Sequence, residues 1–141
     1  MQRVYSLLVD NNSGVLSRIS GLFTRRGYNI DSITAGVTAD PRFTRITIVS
    51  SGDEIILSQI EKQIAKLEDV IVVKVLKPEE SVYRELILVK IRANAQQRSE
   101  IVSIADIFRA KIVDAERESL VIELTGTQSK LEAFLQLLDG L

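Results

Sequence analysis

The sequence predicts an α+β fold of two ferredoxin-like units, each ordered β-α-β-β-α-β, the second without its last strand. Three observations predict it. Runs with a two-residue apolar alternation and runs with a helical period follow one another in that order over the first half. A polar stretch around Pro78 interrupts the pattern. Beyond it the same order restarts. Such an order contains two right-handed βαβ crossovers, which put both helices on one face of an antiparallel sheet.

Arg3–Val9 is rich in Val, Leu and Tyr and reads as a strand. Asp10-Asn11-Asn12-Ser13-Gly14 breaks it with turn and N-cap residues. Val15, Leu16, Ile19, Leu22 and Phe23 then share one helix face, Arg18, Arg25 and Arg26 take the other side, and Gly27 suits the left-handed position that ends a helix. Tyr28–Val37 and Phe43–Ser50 read as a hairpin around Asp40-Pro41. Ser51 and Glu54 have capping-box spacing ahead of a helix with Leu57, Ile60, Ile64 and Leu67 on one face. Val70–Leu76 closes the first unit as an apolar strand.

Lys77-Pro78-Glu79-Glu80-Ser81 is polar and reads as a linker, so the expected divisions are a domain at 1–77, a linker at 78–82 and a second domain at 83–141. Tyr83–Ala93 is again a strand, and Ile101, Ile104, Ala105 and Phe108 form a helix face. Lys111–Ala115 and Ser119–Thr125 are further strands, and Ser129 with Glu132 has capping-box spacing before a helix with Leu131, Phe134, Leu135 and Leu138 on one face. No residues remain for a sixth strand. Either the chain is truncated or a partner strand fills the place.

Composition removes whole classes of chemistry. The chain has no His, Cys or Trp and a net charge of −1. Without His or Cys there is no imidazole base, thiol nucleophile, thiolate zinc site or disulfide. Phosphate-backbone binding needs an excess of Lys and Arg that is missing here. No secretory leader opens the chain, and apolar stretches such as Val70–Val73 are far below the ~20 residues of a membrane span. A soluble cytoplasmic protein is expected, with no nucleic-acid or membrane partner. The acidic residues form no catalytic or metal-binding constellation: Asp10, Asp31, Asp40 and Asp53 mark element ends, and Glu61, Glu68 and Glu100 lie on solvent faces. The base-stacking aromatic pairs of an RNA-binding module on this topology are missing.

Two segments are candidates for binding. Asn11–Gly14 stands between a strand and a helix, where unpaired first-turn N–H groups and the helix dipole suit a carboxylate or phosphate. The plainer reading is that Asn and Ser simply cap the helix. Arg25-Arg26-Gly27-Tyr28-Asn29 is the second: an Asn opening a strand can offer its carbonyl to an ammonium and its amide to a carboxylate. Its plainer reading is a helix end followed by a turn.

The runs Asp10–Arg18, Gly21–Ser32, Asp40-Pro41 and Arg45–Val49, with Arg84–Ile91 and Phe108–Asp114 in the second half, closely resemble the small regulatory subunits of acetohydroxyacid synthase (acetolactate synthase). The resemblance implies an N-terminal ACT domain at 1–77, which binds effector and dimerises, and a ferredoxin-like C-terminal domain at 83–141. It implies a homodimer joined through the ACT sheets, activation of a catalytic large subunit, and feedback inhibition by valine or a related branched-chain amino acid. Carried over by position, Asn11, Gly14, Val15 and Leu16 of one subunit and Asn29 and Ile30 of the other hold the effector at the ACT interface. No catalytic or metal-binding residue is implied for this chain, and thiamine diphosphate, Mg and FAD are expected on the large subunit. Full-length members of the family continue beyond Leu141 with a last strand and tail, which puts the completeness of the second domain in question.

The chemistry of a valine zwitterion agrees with these positions. N–H groups at Gly14–Leu16 suit its carboxylate, the two Asn carbonyls its ammonium, and Val15, Leu16 and Ile30 its side chain. Two other readings compete: a free-standing ACT sensor acting on another enzyme or regulator, and a small acylphosphatase-type enzyme. The first βα loop lacks the arginine that the latter needs.

Overall fold

A computed structural model describes residues 1–141. The chain divides into two compact units, Met1–Ser81 and Val82–Leu141. The first holds β1 (Gln2–Asp10), α1 (Val15–Arg26), β2 (Ser32–Val37), β3 (Phe43–Ser51), α2 (Glu54–Ala65) and β4 (Val70–Leu76). Its sheet has the order β2-β3-β1-β4, with every neighbouring pair antiparallel. Tyr5, Leu7 and Val9 alternate into a core with Ile46 and Ile48, and α1 and α2 lay Ile19, Leu22, Phe23, Leu57, Ile60 and Ile64 over them. At roughly 1.5–3 kcal/mol per buried large side chain, this shared face sets the register, because a one-residue slip would turn it to solvent. The Tyr5 hydroxyl donates to the Leu57 carbonyl at 2.6 Å, tying the central strand to α2.

The second unit runs β5 (Glu85–Arg92), α3 (Ala95–Ile107), β6 (Lys111–Ala115), β7 (Ser119–Gly126) and α4 (Gln128–Asp139). Its three-stranded sheet has the order β5-β7-β6, so it repeats the first unit without the counterpart of β4, as the sequence predicts. Leu120, Ile122 and Leu124 face Ile101, Ala105, Leu131 and Leu138, and Phe108 meets Phe134 edge-on at 5.3 Å between ring centroids. Residues Pro78–Glu80, within the stretch read as a linker, form a single 3-10 turn. No helix is long and apolar enough to cross a membrane.

Strand and helix order agree with the sequence reading; several boundaries and caps do not. Tyr28–Asp31 lie before β2 rather than in it. The cap of α2 is Asp53, whose carboxylate accepts from the Ile56 N–H at 2.8 Å, so Ser51 and Glu54 make no box. The cap of α4 is Thr127, and Ser129 lies inside the helix. A capping box does occur, at Asn94 and Gln97 on α3. Spacing alone nominates several caps, but a cap must also leave the helix in extended backbone, as Asp53, Asn94 and Thr127 all do.

Candidate functional site

β1 ends where its last N–H, on Asp10, donates to the Asp69 carbonyl, and the next, on Asn11, donates to the Arg42 carbonyl. The Asn11 side chain follows the same turn: Nδ2 donates to the Pro41 carbonyl at 2.9 Å, and Oδ1 accepts from the Thr44 hydroxyl at 3.1 Å. Asn11 therefore does not cap α1. Gly14 occupies that position at φ +89°, a left-handed conformation open to glycine, and no side chain caps the helix. The Val15 N–H reaches back to the Asn12 carbonyl at 3.4 Å, and the first turn carries no acidic residue. The N-terminal end of α1 thus has neither a side-chain cap nor an acidic residue in its first turn, which corrects the plainer reading of Asn and Ser as its caps.

The side chains here divide sharply. Val15 is buried in the core of the single chain, so its backbone is the part of it that this loop exposes. Leu16 is 48% exposed and is the free apolar group of the loop. Ile30, half-buried, packs its body against the core before β2 begins. Asn29 is exposed; its Nδ2 donates to the Asp31 carboxylate, and its main-chain carbonyl accepts from the buried Ser50 hydroxyl. Asp31 also accepts from the Ser51 hydroxyl and from Gln2 Nε2, the latter at 3.0 Å.

These contacts fix where the two groups lie. Asn29 and Asp31 stand beside Gln2 and Ser51, at the start of β1, whereas Asn11 and Gly14 follow its end. At ~3.4 Å per residue the separation along β1 is roughly 30 Å. The chain therefore does not bring the six predicted residues together. The strand between the two groups is β2, one of the two edges of the sheet, exposed along its whole length, with Ile33 and Val37 presenting apolar surface. A cleft of about 570 Å³ lined by Arg3, Glu54, Glu61, Val75 and Lys77 contains none of the six. Nor does the cleft at Lys90, Arg92 and Arg117.

Comparison with known proteins decides the family. Residues 5–72 match the model of the AHAS small subunit-like ACT domain, and residues 84–141 match that of the small subunit of acetolactate synthase. A probable acetolactate synthase small subunit of Methanothermobacter thermautotrophicus is 48% identical over 136 residues, 96% of this chain and 81% of that protein. The acetolactate synthase isozyme 3 small subunit of Escherichia coli is 47% identical over 135 residues, covering 96% and 83%. The chain belongs to the acetolactate synthase small subunits. The crystal structure of the small subunit from Thermotoga maritima superposes with a TM-score of 0.90 at 43% identity, over 98% of this chain and 86% of that one.

In this small subunit the structure adds residues that sequence patterns left out. Arg18 bonds Asp69 through Nε at 2.6 Å, and its guanidinium lies over Gly14, so that a Cβ there would meet Nη1 at 3.2 Å. The helix-opening loop thereby meets a guanidinium that Asp69 already pairs, and the i, i+4 relation of Gly14 to Arg18 is the signal that could have found it. Thr44 and the Pro41 carbonyl hold Asn11, and Ser51 and Gln2 hold Asp31, the partner of Asn29, from 20 to 33 positions away in sequence. No local pattern contains them. An uncapped helix start beside a guanidinium, an oriented amide carbonyl and a free leucine together suit an amino-acid zwitterion.

Proposed function

We propose that this acetolactate synthase small subunit senses valine, or a related branched-chain amino acid, between the ACT domains of a homodimer. It activates the catalytic large subunit, and the bound effector shifts the complex toward a less active state. The observation that carries the reading is the separation of the two half-sites by an exposed edge strand. In β2 the Val37 end pairs with Thr44, the bonding partner of Asn11, while the Ser32 end pairs with Val49, next to Ser50 and Asn29. Antiparallel pairing of two β2 strands about a twofold axis would set Asn11–Leu16 of one copy against Asn29–Ile30 of the other. Each dimer would then hold two equivalent sites.

The parts suit their roles. The effector carboxylate would take the N-terminal end of α1, its ammonium the Asn11 and Asn29 carbonyls, and its side chain Leu16 and Ile30. Chemistry on thiamine diphosphate, with Mg and FAD, belongs in this reading to the large subunit. Inhibition requires only that the two states of the complex bind valine differently, and a difference of about 1–3 kcal/mol is typical. The test is to reconstitute the chain with a synthase large subunit and assay acetolactate formation with and without valine, leucine and isoleucine. Stimulation by the chain and its reversal by one of the three are expected. Full activity at saturating levels of all three would reject the reading.

A further inference from the structure

We infer that Asp31 is a positioning residue for the effector site: it holds the amide nitrogen of Asn29, so that Asn29 offers its carbonyl oxygen to an ammonium group. The inference deepens the proposed function and rests on it. A primary amide can turn over and exchange its donor and acceptor ends. One orientation accepts from an ammonium; the other presents an NH2 to it and repels it. A carboxylate has only acceptor oxygens, so the contact between Asn29 and Asp31 admits the nitrogen and excludes the oxygen.

Asp31 is itself held on several sides. Ser51 and Gln2 donate to its carboxylate, and its own N–H donates to the Val49 carbonyl at 2.8 Å. Buried Ser50 fixes the Asn29 main chain through its carbonyl. None of the ion pairs in the chain involves Asp31, so no cation competes with the Asn29 amide for its carboxylate. Asn11 is likewise held at nitrogen by an acceptor-only group, the Pro41 carbonyl, but its oxygen is held as well, by the Thr44 hydroxyl. Of the two asparagines, Asn29 is thus the one anchored by nitrogen alone, which is the polarity an ammonium requires.

The test uses the full chain reconstituted with the large subunit, and inhibition is read against each variant's own rate without valine. Asp31→Ala is expected to raise the half-inhibiting valine concentration about tenfold, the scale of one charge-assisted hydrogen bond. Asp31→Asn keeps one acceptor oxygen but can itself turn over and admit either end of Asn29, so its loss should be smaller than that of Asp31→Ala. Asn29→Ala and the double variant Asn29→Ala/Asp31→Ala should match each other, because Asp31 acts through Asn29. Additive losses in the double variant, or equal losses in Asp31→Ala and Asp31→Asn, would overturn the inference. A second readout needs no effector: the side-chain NH2 resonances of Asn29 in the free chain should shift in Asp31→Ala, and an unmoved pair also overturns it. If Asn29→Ala leaves inhibition intact while those resonances do respond to Asp31→Ala, the orientation stands and the effector-site reading fails instead.

Discussion

Single residues carry two kinds of constraint here, steric at Gly14 and solvational at Tyr5. Gly14 combines φ +89° with an Arg18 guanidinium 3.2 Å from where a Cβ would stand. Gly14→Asp would strain the backbone and bring a carboxylate to the place proposed for that of the effector. The half-inhibiting valine concentration in the reconstituted synthase should rise at least about tenfold, for the loss of one charged contact. Unchanged inhibition would reject the assignment of this loop. Burial pushes the Tyr5 phenol up to about 12, above its ordinary 10, although the nearby Arg3 guanidinium pulls the other way. A raised value means that the unfolded chain loses this proton first, so the stability it carries is present below pH 10 and disappears as pH rises toward 12. Urea titrations of Tyr5→Phe should show a weaker decline over that interval. At neutral pH the variant should lose about 1 kcal/mol with the bond to Leu57.

Elements end by shared rules but with different residues. α1 closes on Gly27 at φ +69°, with the Tyr28 N–H returning to the Phe23 carbonyl at 2.9 Å. α3 closes in the same manner, the Ala110 N–H returning to Ala105 at 2.8 Å, but its left-handed residue is Arg109 at φ 59°. A side chain in that conformation costs about 1–2 kcal/mol, and glycine returns part of the gain as chain entropy. Arg109→Gly should therefore stabilise the second unit by about 0.5–1 kcal/mol, measured by thermal or urea unfolding, and Gly27→Ala should destabilise the first by a similar amount. The turn between β2 and β3 matters for a different reason. Arg42 bonds Asp40 and holds its carboxyl below the usual range, and the Pro41 and Arg42 carbonyls of this turn receive Asn11. A hairpin turn thus shapes the loop that opens α1.

For the molecule as a whole, the exposed β2 edge is the feature that function would use. A free edge with unpaired backbone groups and apolar side chains at Ile33 and Val37 invites a second strand, and a charge placed on it blocks pairing. Val37→Lys, on a residue that is 61% exposed, should leave circular dichroism unchanged while sedimentation shows a monomer. Valine inhibition should disappear with the dimer. A Val37→Lys chain that sediments as a monomer yet keeps full inhibition would reject a site shared between copies.

Most of the architecture was legible in the sequence, because strand and helix periods are local patterns and the apolar faces they predict are the faces that pack. The order of elements, the three-stranded second sheet and the close of α1 at Gly27 follow from that. Caps were read less well at Ser51 and Ser129, since spacing names several candidates and backbone conformation selects one. The polar atoms of the candidate site were decided only by tertiary structure. Gln2 faces Ser51 and Asp10 faces Phe43 through the register of β1 on β3, and that register brings Asp31 its donors and Asn11 its anchors. Periodicity runs along one chain segment, whereas the saturation of a hydrogen-bonding group depends on remote strands laid beside it. Hence the sequence determined which loops carry Asn11, Gly14 and Asn29, and the fold decided which of their atoms are left free and that they lie at opposite ends of one sheet.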